Sequence, residues 1–218
     1  MATPQSRIYF TEEEYLAIER ASEERHEYVD GRIYAMAGES EGHADISGNI
    51  FARLFEGLSR ERCRVRMQNT KVRSGPEPKS SRGSRGFYSY PDVLVVCGER
   101  QFHDKFRDVL INPNVIVEVL SESTESFDRG EKFIRYRTWL PTLTDYILVS
   151  QDKPVIEHYR RQSNDEWVLA TMEGLDAVLN IESIGCSLKL SDVYDGVQFP
   201  APHDSPIEAE LEDGKFQE

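Results

Sequence analysis

Two nearly continuous apolar runs, Val93-Leu94-Val95-Val96-Cys97 and Val115-Ile116-Val117-Glu118-Val119-Leu120, constrain what this chain can fold into. They are short and rich in β-branched residues, with no regular polar alternation, so they predict central strands buried on both faces. A third such run is Tyr146-Ile147-Leu148-Val149. Between the second and third, Asp128 with Glu131 reads as a capping box that opens a helix through Phe133, Tyr136, Arg137 and Leu140, ended by Pro141. Strands alternating with a helix in this way indicate an α/β sandwich around a central mixed sheet flanked by helices.

The elements on either side fit that frame. Thr11 with Glu14 makes a capping box, which starts an N-terminal helix at Glu12 with Tyr15, Ile18 and Ala21 on one side. The stretch from Glu27 to Tyr34 reads as a β-hairpin with Asp30-Gly31 as a type I′ turn. Ile46, Ile50, Leu54 and Leu58 recur at four-residue steps between His43 and Ser59, widened by Phe51 and Phe55, and mark the strongest helix. Cys63, Val65 and Met67 alternate with Arg64, Arg66 and Gln68, as in a strand with one wet face, and a short strand is expected over Thr70 to Arg73. Ser74 to Gly86 is a polar Gly/Pro/Ser loop, and Val155–Arg160 with Glu166–Thr171 forms an edge hairpin turning at Asn164-Asp165. Residues 1–195 are expected to form a single domain. Residues 196–218, acidic and Pro-containing, are expected to be a poorly ordered tail.

Composition excludes several classes. No stretch holds the ~18 or more apolar residues of a membrane helix, and the N-terminus lacks a basic start followed by an apolar run, so a cytoplasmic protein without membrane contact is expected. Cys63, Cys97 and Cys186 form no CxxC or Cys/His cluster and read as buried reduced thiols. The net charge of −13 disfavours indiscriminate binding to nucleic acid. Yet Arg60 to Arg85 carries nine basic residues, Arg73 among them, against two acidic ones. One basic face on an acidic protein is compatible with a polyanionic partner; a solvated strand face is the plainer alternative.

Glu118 is the oddest local feature. A carboxylate in an apolar strand costs several kcal/mol unless it is paired, protonated or metal-bound. Asp92, after Pro91, stands at the entry to the preceding run, so the two acids can converge at a sheet edge. Carboxylates with a backbone carbonyl and water suit Mg²⁺ or Mn²⁺. Structural acids bonded to arginine or to backbone amides are the other reading.

Pro91-Asp92-Val93, then Val117-Glu118-Val119-Leu120-Ser121, then Asp128-Arg129-Gly130-Glu131-Lys132 before a helix with Tyr136, resemble the restriction endonuclease-like family of the PD-(D/E)XK nuclease superfamily. Glu27-Tyr28-Val29-Asp30-Gly31 and Leu188-Lys189-Leu190-Ser191-Asp192-Val193-Tyr194 extend the resemblance from about Thr11 to Tyr194. The signature lysine, due two positions after Glu118, is absent: that position is Leu120. The resemblance implies that its role moves to the following helix, where Lys132 is the candidate; a solvated surface lysine is the alternative.

It further implies a restriction endonuclease-like sandwich in which Asp92, Glu118 and the Val119 carbonyl hold Mg²⁺ or Mn²⁺. Glu27 would reach the metal through water, or would simply be a surface glutamate. Lys132 would orient the attacking water or steady the phosphate. Gln68 and Lys71 are candidates for lining the cleft, Arg73 for the basic face, and His43 for a phosphate contact or a helix cap. Ser121 reads as a turn cap. The function implied is a metal-dependent DNA endonuclease, a possible homodimer since duplex cleavage needs two cuts. A decayed nuclease-fold module that binds nucleic acid or protein stands against it, as does a hydrolase of smaller phosphoesters.

Overall fold

A computed structural model of the chain describes residues 9–36, 38–58, 62–76 and 86–200. The apolar runs do form the centre of a sheet. β6 (Val93–Cys97), β8 (Val115–Val119) and β9 (Asp145–Val149) lie side by side in a six-stranded sheet completed by β3 (Cys63–Met67), β10 (Val155–Arg161) and β11 (Trp167–Glu173), in the order β11-β10-β9-β8-β6-β3. β8 and β9 are parallel and the remaining pairs antiparallel, so the sheet is mixed. A parallel pair needs a crossover connection, and here it is helical.

That crossover differs from the expected helix. α3 (Glu125–Phe127), a π-turn (Asp128–Lys132) and α4 (Phe133–Trp139) run on without a break, so helical structure starts at Glu125 and Asp128 lies inside it. The turn preceding it is closed by the Glu125 N–H donating to the Ser121 carbonyl at 2.8 Å, and the Ser121 and Thr124 hydroxyls are 2.9 Å apart. Asp128 is therefore not an N-cap. Its carboxylate is buried and accepts from Lys132 one turn on.

Period-2 alternation assigns the sheet's two faces. Val93, Val95, Val115 and Val117 pack under α2 (Glu41–Gly57), through Ile46, Ile50 and Leu54. The hairpin β12 (Val178–Ile181)–β13 (Cys186–Lys189) and the short α5 (Leu190–Val193) complete that layer. Leu94, Val96, Ile116, Leu120 and Leu148 face the other way, onto Phe133 and Tyr136 of α4 and Leu140 just beyond it. The alternation puts Glu118 on this second face.

The N-terminal hairpin, β1 (His26–Val29) and β2 (Arg32–Ala35), turns at Asp30 and Gly31 with φ of 48° and 92°. Both residues of a type I′ turn need positive φ, which Asp and Gly tolerate. The hairpin joins a second sheet, β2-β1-β5-β4-β7, with β4 (Lys71–Ser74), β5 (Phe87–Ser89) and β7 (Val109–Leu110). α1 (Glu12–Ala21) covers it through Tyr15 and Leu16, which pack on Tyr28 and Tyr88. The α1 capping box is present, but its inward face is Glu12, Tyr15, Leu16 and Glu19; Ile18 is 41% exposed. The two glutamates go inward because each has buried partners: Glu12 meets Arg73 and Tyr88, and Glu19 meets Tyr90 and His26.

One further expectation is corrected. Cys63 and Cys97 are register partners across β3–β6 and are disulfide-bonded, while Cys186 is free and buried. Cysteine spacing in sequence carries no information on cross-strand register, so the pairing was hidden. The chain after Gly196 stays packed at first, Phe199 lying against Tyr194 with ring centroids 5.3 Å apart. The rest of the expected tail, 201–218, and most of the polar loop, 77–85, lie outside the described residues.

Candidate active site

The antiparallel register of β6 with β8 matches Val93 to Val117, and continuing it brings Asp92 opposite Glu118. The Asp92 carboxylate accepts the Val119 backbone N–H at 2.7 Å, which fixes its orientation at the mouth of the sheet. From α2, His43 Nε2 stands 3.2 Å from the same carboxylate oxygen, and its Nδ1 stands 3.1 Å from Glu39. Burial pulls the His43 imidazole down, but the hydrogen bonds to Asp92 and Glu39 outweigh it and hold it above its usual range. His43 thus contacts an acid in this structure, and the helix is capped by Ser40.

Glu118 is 3% exposed, and its partner comes from the crossover. Lys132 Nζ is 3.1 Å from Glu118 Oε1, 2.9 Å from Asp128 Oδ1 and 4.0 Å from Glu27 Oε1. Tyr136, one turn further on, points its hydroxyl at Glu118 Oε1 (3.3 Å) and pairs with the Ser89 hydroxyl at 2.6 Å. Asp128, Lys132 and Tyr136 are therefore one helical stripe aimed at the strand end. The four-residue spacing was in the sequence, and reading it as a stripe facing Glu118 would have found Asp128 and Tyr136, which were overlooked as site residues.

These groups line a cleft of about 950 Å³, to which Glu27, Asp92, Glu118, Val119, Asp128 and Lys132 all contribute. Gln68 lines it too, its amide donating to Glu39 at 2.6 Å. Lys71 and Arg73 do not. The Lys71 ammonium is buried over the Tyr15 and Tyr90 rings, 3.7 Å from Asp108, and Arg73 is spent on Glu12 at 2.8 Å. Both side chains bind the second sheet to α1 rather than facing the cleft.

The electrostatics are lopsided. For Lys132, burial works against the charge, but Glu118, Asp128 and Glu27 outweigh it and push its ammonium well above the ordinary range. Glu118 is pushed up by burial and by Asp128 and Asp92, against the pull of Lys132. Glu27 is raised mainly by burial, with Asp128 and Asp92 adding to it. One ammonium does not balance this many carboxylates in a low-dielectric pocket. Among the described residues, no three His, Cys, Asp or Glu side chains close on a common point; Lys132 stands among the acids instead. The available donors are nevertheless those of a hard divalent cation, carboxylate oxygens with a main-chain carbonyl beside them, and their excess negative charge fits one. Asp92, Glu118 and the Val119 carbonyl are the groups that would hold it.

A mixed sheet with crossover and flanking helices, and acids at the ends of neighbouring central strands, defines a restriction endonuclease-like α/β protein. The chain belongs to the Uma2 family, described as "Putative restriction endonuclease", whose pattern matches residues 12–191. Two cyanobacterial relatives from Synechocystis sp. (strain ATCC 27184 / PCC 6803 / Kazusa) bear the names "Uncharacterized protein slr1290" and "Uncharacterized protein sll1609". The first is 35% identical over 187 residues, 86% of this chain and 92% of the relative. The second is 32% identical over 167 residues, 77% of this chain and 89% of the relative. Among solved structures, a protein of Anabaena variabilis ATCC 29413, titled a "putative nuclease belonging to DUF820", superposes with a TM-score of 0.68. At 17% identity, over 87% of this chain and 99% of that one, this likeness shows the fold.

Proposed function

We propose that the protein is a divalent-metal-dependent endonuclease that hydrolyses DNA phosphodiester bonds in the Asp92–Glu118 cleft. The observation that carries this reading is Lys132. Leu120 holds the signature position, yet the Lys132 ammonium arrives 3.1 Å from Glu118 from a different element. That placement puts an ammonium at the carboxylate cluster, where the missing signature lysine would have acted.

Mg²⁺ or Mn²⁺ on Asp92, Glu118 and the Val119 carbonyl would supply Lewis acidity and lower the pKa of a bound water. The chain's own groups do the rest. Asp92 is aimed by the Val119 N–H, and Glu118 by Lys132 and Tyr136. Lys132, kept protonated by the acids around it, is a donor and not a base. It steadies charge developing on the phosphoryl oxygens and orients the attacking water. Glu27, on the hairpin facing Lys132, restrains that ammonium and offers a further acceptor.

The test is cleavage of supercoiled and linear DNA with Mg²⁺ or Mn²⁺, alongside Asp92→Ala and Lys132→Ala. Activity is expected for the native chain and for neither variant. Cleavage that survives Asp92→Ala would refute the site. Metal binding without cleavage under any condition would favour the decayed module.

A further inference from the structure

A second pocket, of about 260 Å³, lies outside the acidic cleft, and its lining is cationic: Arg66 from β3, with Arg100 and Arg107 from the loop between β6 and β7. Among the described residues, no carboxylate pairs with any of the three guanidiniums. That sets them apart from Arg20, Arg73, Arg129 and Arg135, each engaged by an acid. The one acid in the pocket wall, Asp108, is already held by Arg20 through both oxygens, at 2.8 and 3.0 Å. Asn69 and Thr70, from the β3–β4 turn, add neutral donors. The pocket is therefore rich in donors and poor in acceptors, on a chain whose net charge is −13.

The loop is also built under constraint. Arg107 adopts a φ of 58°, in the left-handed region that costs a non-glycine residue on the order of 1 kcal/mol. This conformation goes with a guanidinium poised 4.4 Å over the Phe102 ring, itself part of the pocket wall. Backbone strain that positions a charged side chain is characteristic of binding sites.

Placement names the ligand. The pocket reaches Val96, four residues along β6 from Asp92, which is about 13 Å at ~3.3 Å per residue. The two sites are also adjoined along the chain: Gln68 lines the cleft, and Asn69 and Thr70, the next two residues, line the pocket. A duplex strand presents a phosphate roughly every 3.4 Å along its axis, so a strand lying over the carboxylates has phosphates at the arginines within about four nucleotides. We propose that Arg66, Arg100 and Arg107 form a phosphate-gripping exosite that holds the substrate's polynucleotide backbone beside the cleft and sets where the acids meet it. This assignment rests on the nuclease reading above.

The test is binding of a short labelled DNA duplex, followed by fluorescence anisotropy in EDTA at several salt concentrations. It compares the native chain, Arg66→Gln/Arg100→Gln, and Arg160→Gln as a distant control. Arg66 and Arg100 are exposed and Arg160 is partly exposed, paired with Glu182, and thermal melting checks that the folds are intact. The double variant is expected to bind at least about tenfold more weakly at moderate salt, with the slope of log K against log salt smaller by about two; in Mg²⁺ its KM for DNA rises more than its kcat falls. Arg160→Gln should keep the native slope. A double variant that binds with native affinity and slope overturns the exosite and leaves the cleavage assignment untouched. A native chain that binds no DNA overturns both. An acidic peptide bound in preference to the duplex would give the pocket to a protein partner and overturn the assignment as well.

Discussion

Lys132 Nζ and Glu118 Oε1 stand 3.1 Å apart, although one residue belongs to a helical crossover and the other to a central strand. The pairing follows from two facts. β8 and β9 are parallel, so the chain leaving Glu118's strand must cross over the sheet, and even-numbered residues of β8 face the crossover. A lysine one turn beyond Asp128 then has nowhere to point but at the strand end.

Removing that lysine has two consequences. Lys132→Met should lower DNA cleavage by about 10²–10³, the cost of deleting one electrostatic stabiliser. It should also destabilise the fold by about 3–5 kcal/mol, because Glu118 and Asp128 are left buried without their cation. Added Mg²⁺ should raise the melting temperature of the variant by more than that of the native chain. Equal shifts would show that the cation does not enter this cluster.

Arg73 and Glu12, both buried, form a 2.8 Å pair that binds β4 to α1. Arg73→Gln is expected to cost about 3 kcal/mol or more in urea denaturation. Its effect on DNA affinity in the anisotropy assay should be negligible. Weakened binding at unchanged stability would return Arg73 to the nucleic-acid face that the sequence suggested.

Asp145 titrates as part of the core. Burial alone would raise its carboxyl, but hydrogen bonds from His158, Ser183 and Thr144 together outweigh this and hold it below the ordinary range. A carboxyl lower in the folded than the unfolded chain stabilises fully above its unfolded value, near pH 4, and that contribution is lost as pH falls through the folded value. Asp145→Asn should therefore be about 1–3 kcal/mol less stable than the native chain at neutral pH, with the gap closing below about pH 4. A gap that is the same at both ends of the pH range would sink this account.

The Cys63–Cys97 bond predicts a thiol count. Denatured without reductant, the chain should titrate one thiol, Cys186, and three after reduction. The bond closes a loop with a sequence separation of 34, which by chain entropy is worth about 3–4 kcal/mol, so Cys97→Ser should unfold at lower urea. Three thiols without reductant would mean that the facing cysteines are not joined.

Much of this molecule was determined by sequence alone, and for a common reason: those features are local. The Thr11–Glu14 box starts α1, Asp30-Gly31 closes its hairpin, and the β-branched runs around Asp92 and Glu118 become the sheet centre, because each depends on spacings of two to four residues. Even the inward aim of Glu118 follows from strand alternation. What only the tertiary structure decided is which charges meet. It took Asp128 from a helix cap to a partner of Lys132, Lys71 from the cleft to the α1 layer, and Arg73 from the basic face to that same layer. It left Arg66, Arg100 and Arg107 unpaired around one pocket, among the described residues. Apart from Asp128 and Lys132, one helical turn apart, such pairings join residues tens of positions apart, and they are chosen by sheet register and by the cost of burying a charge alone, neither of which a local pattern records.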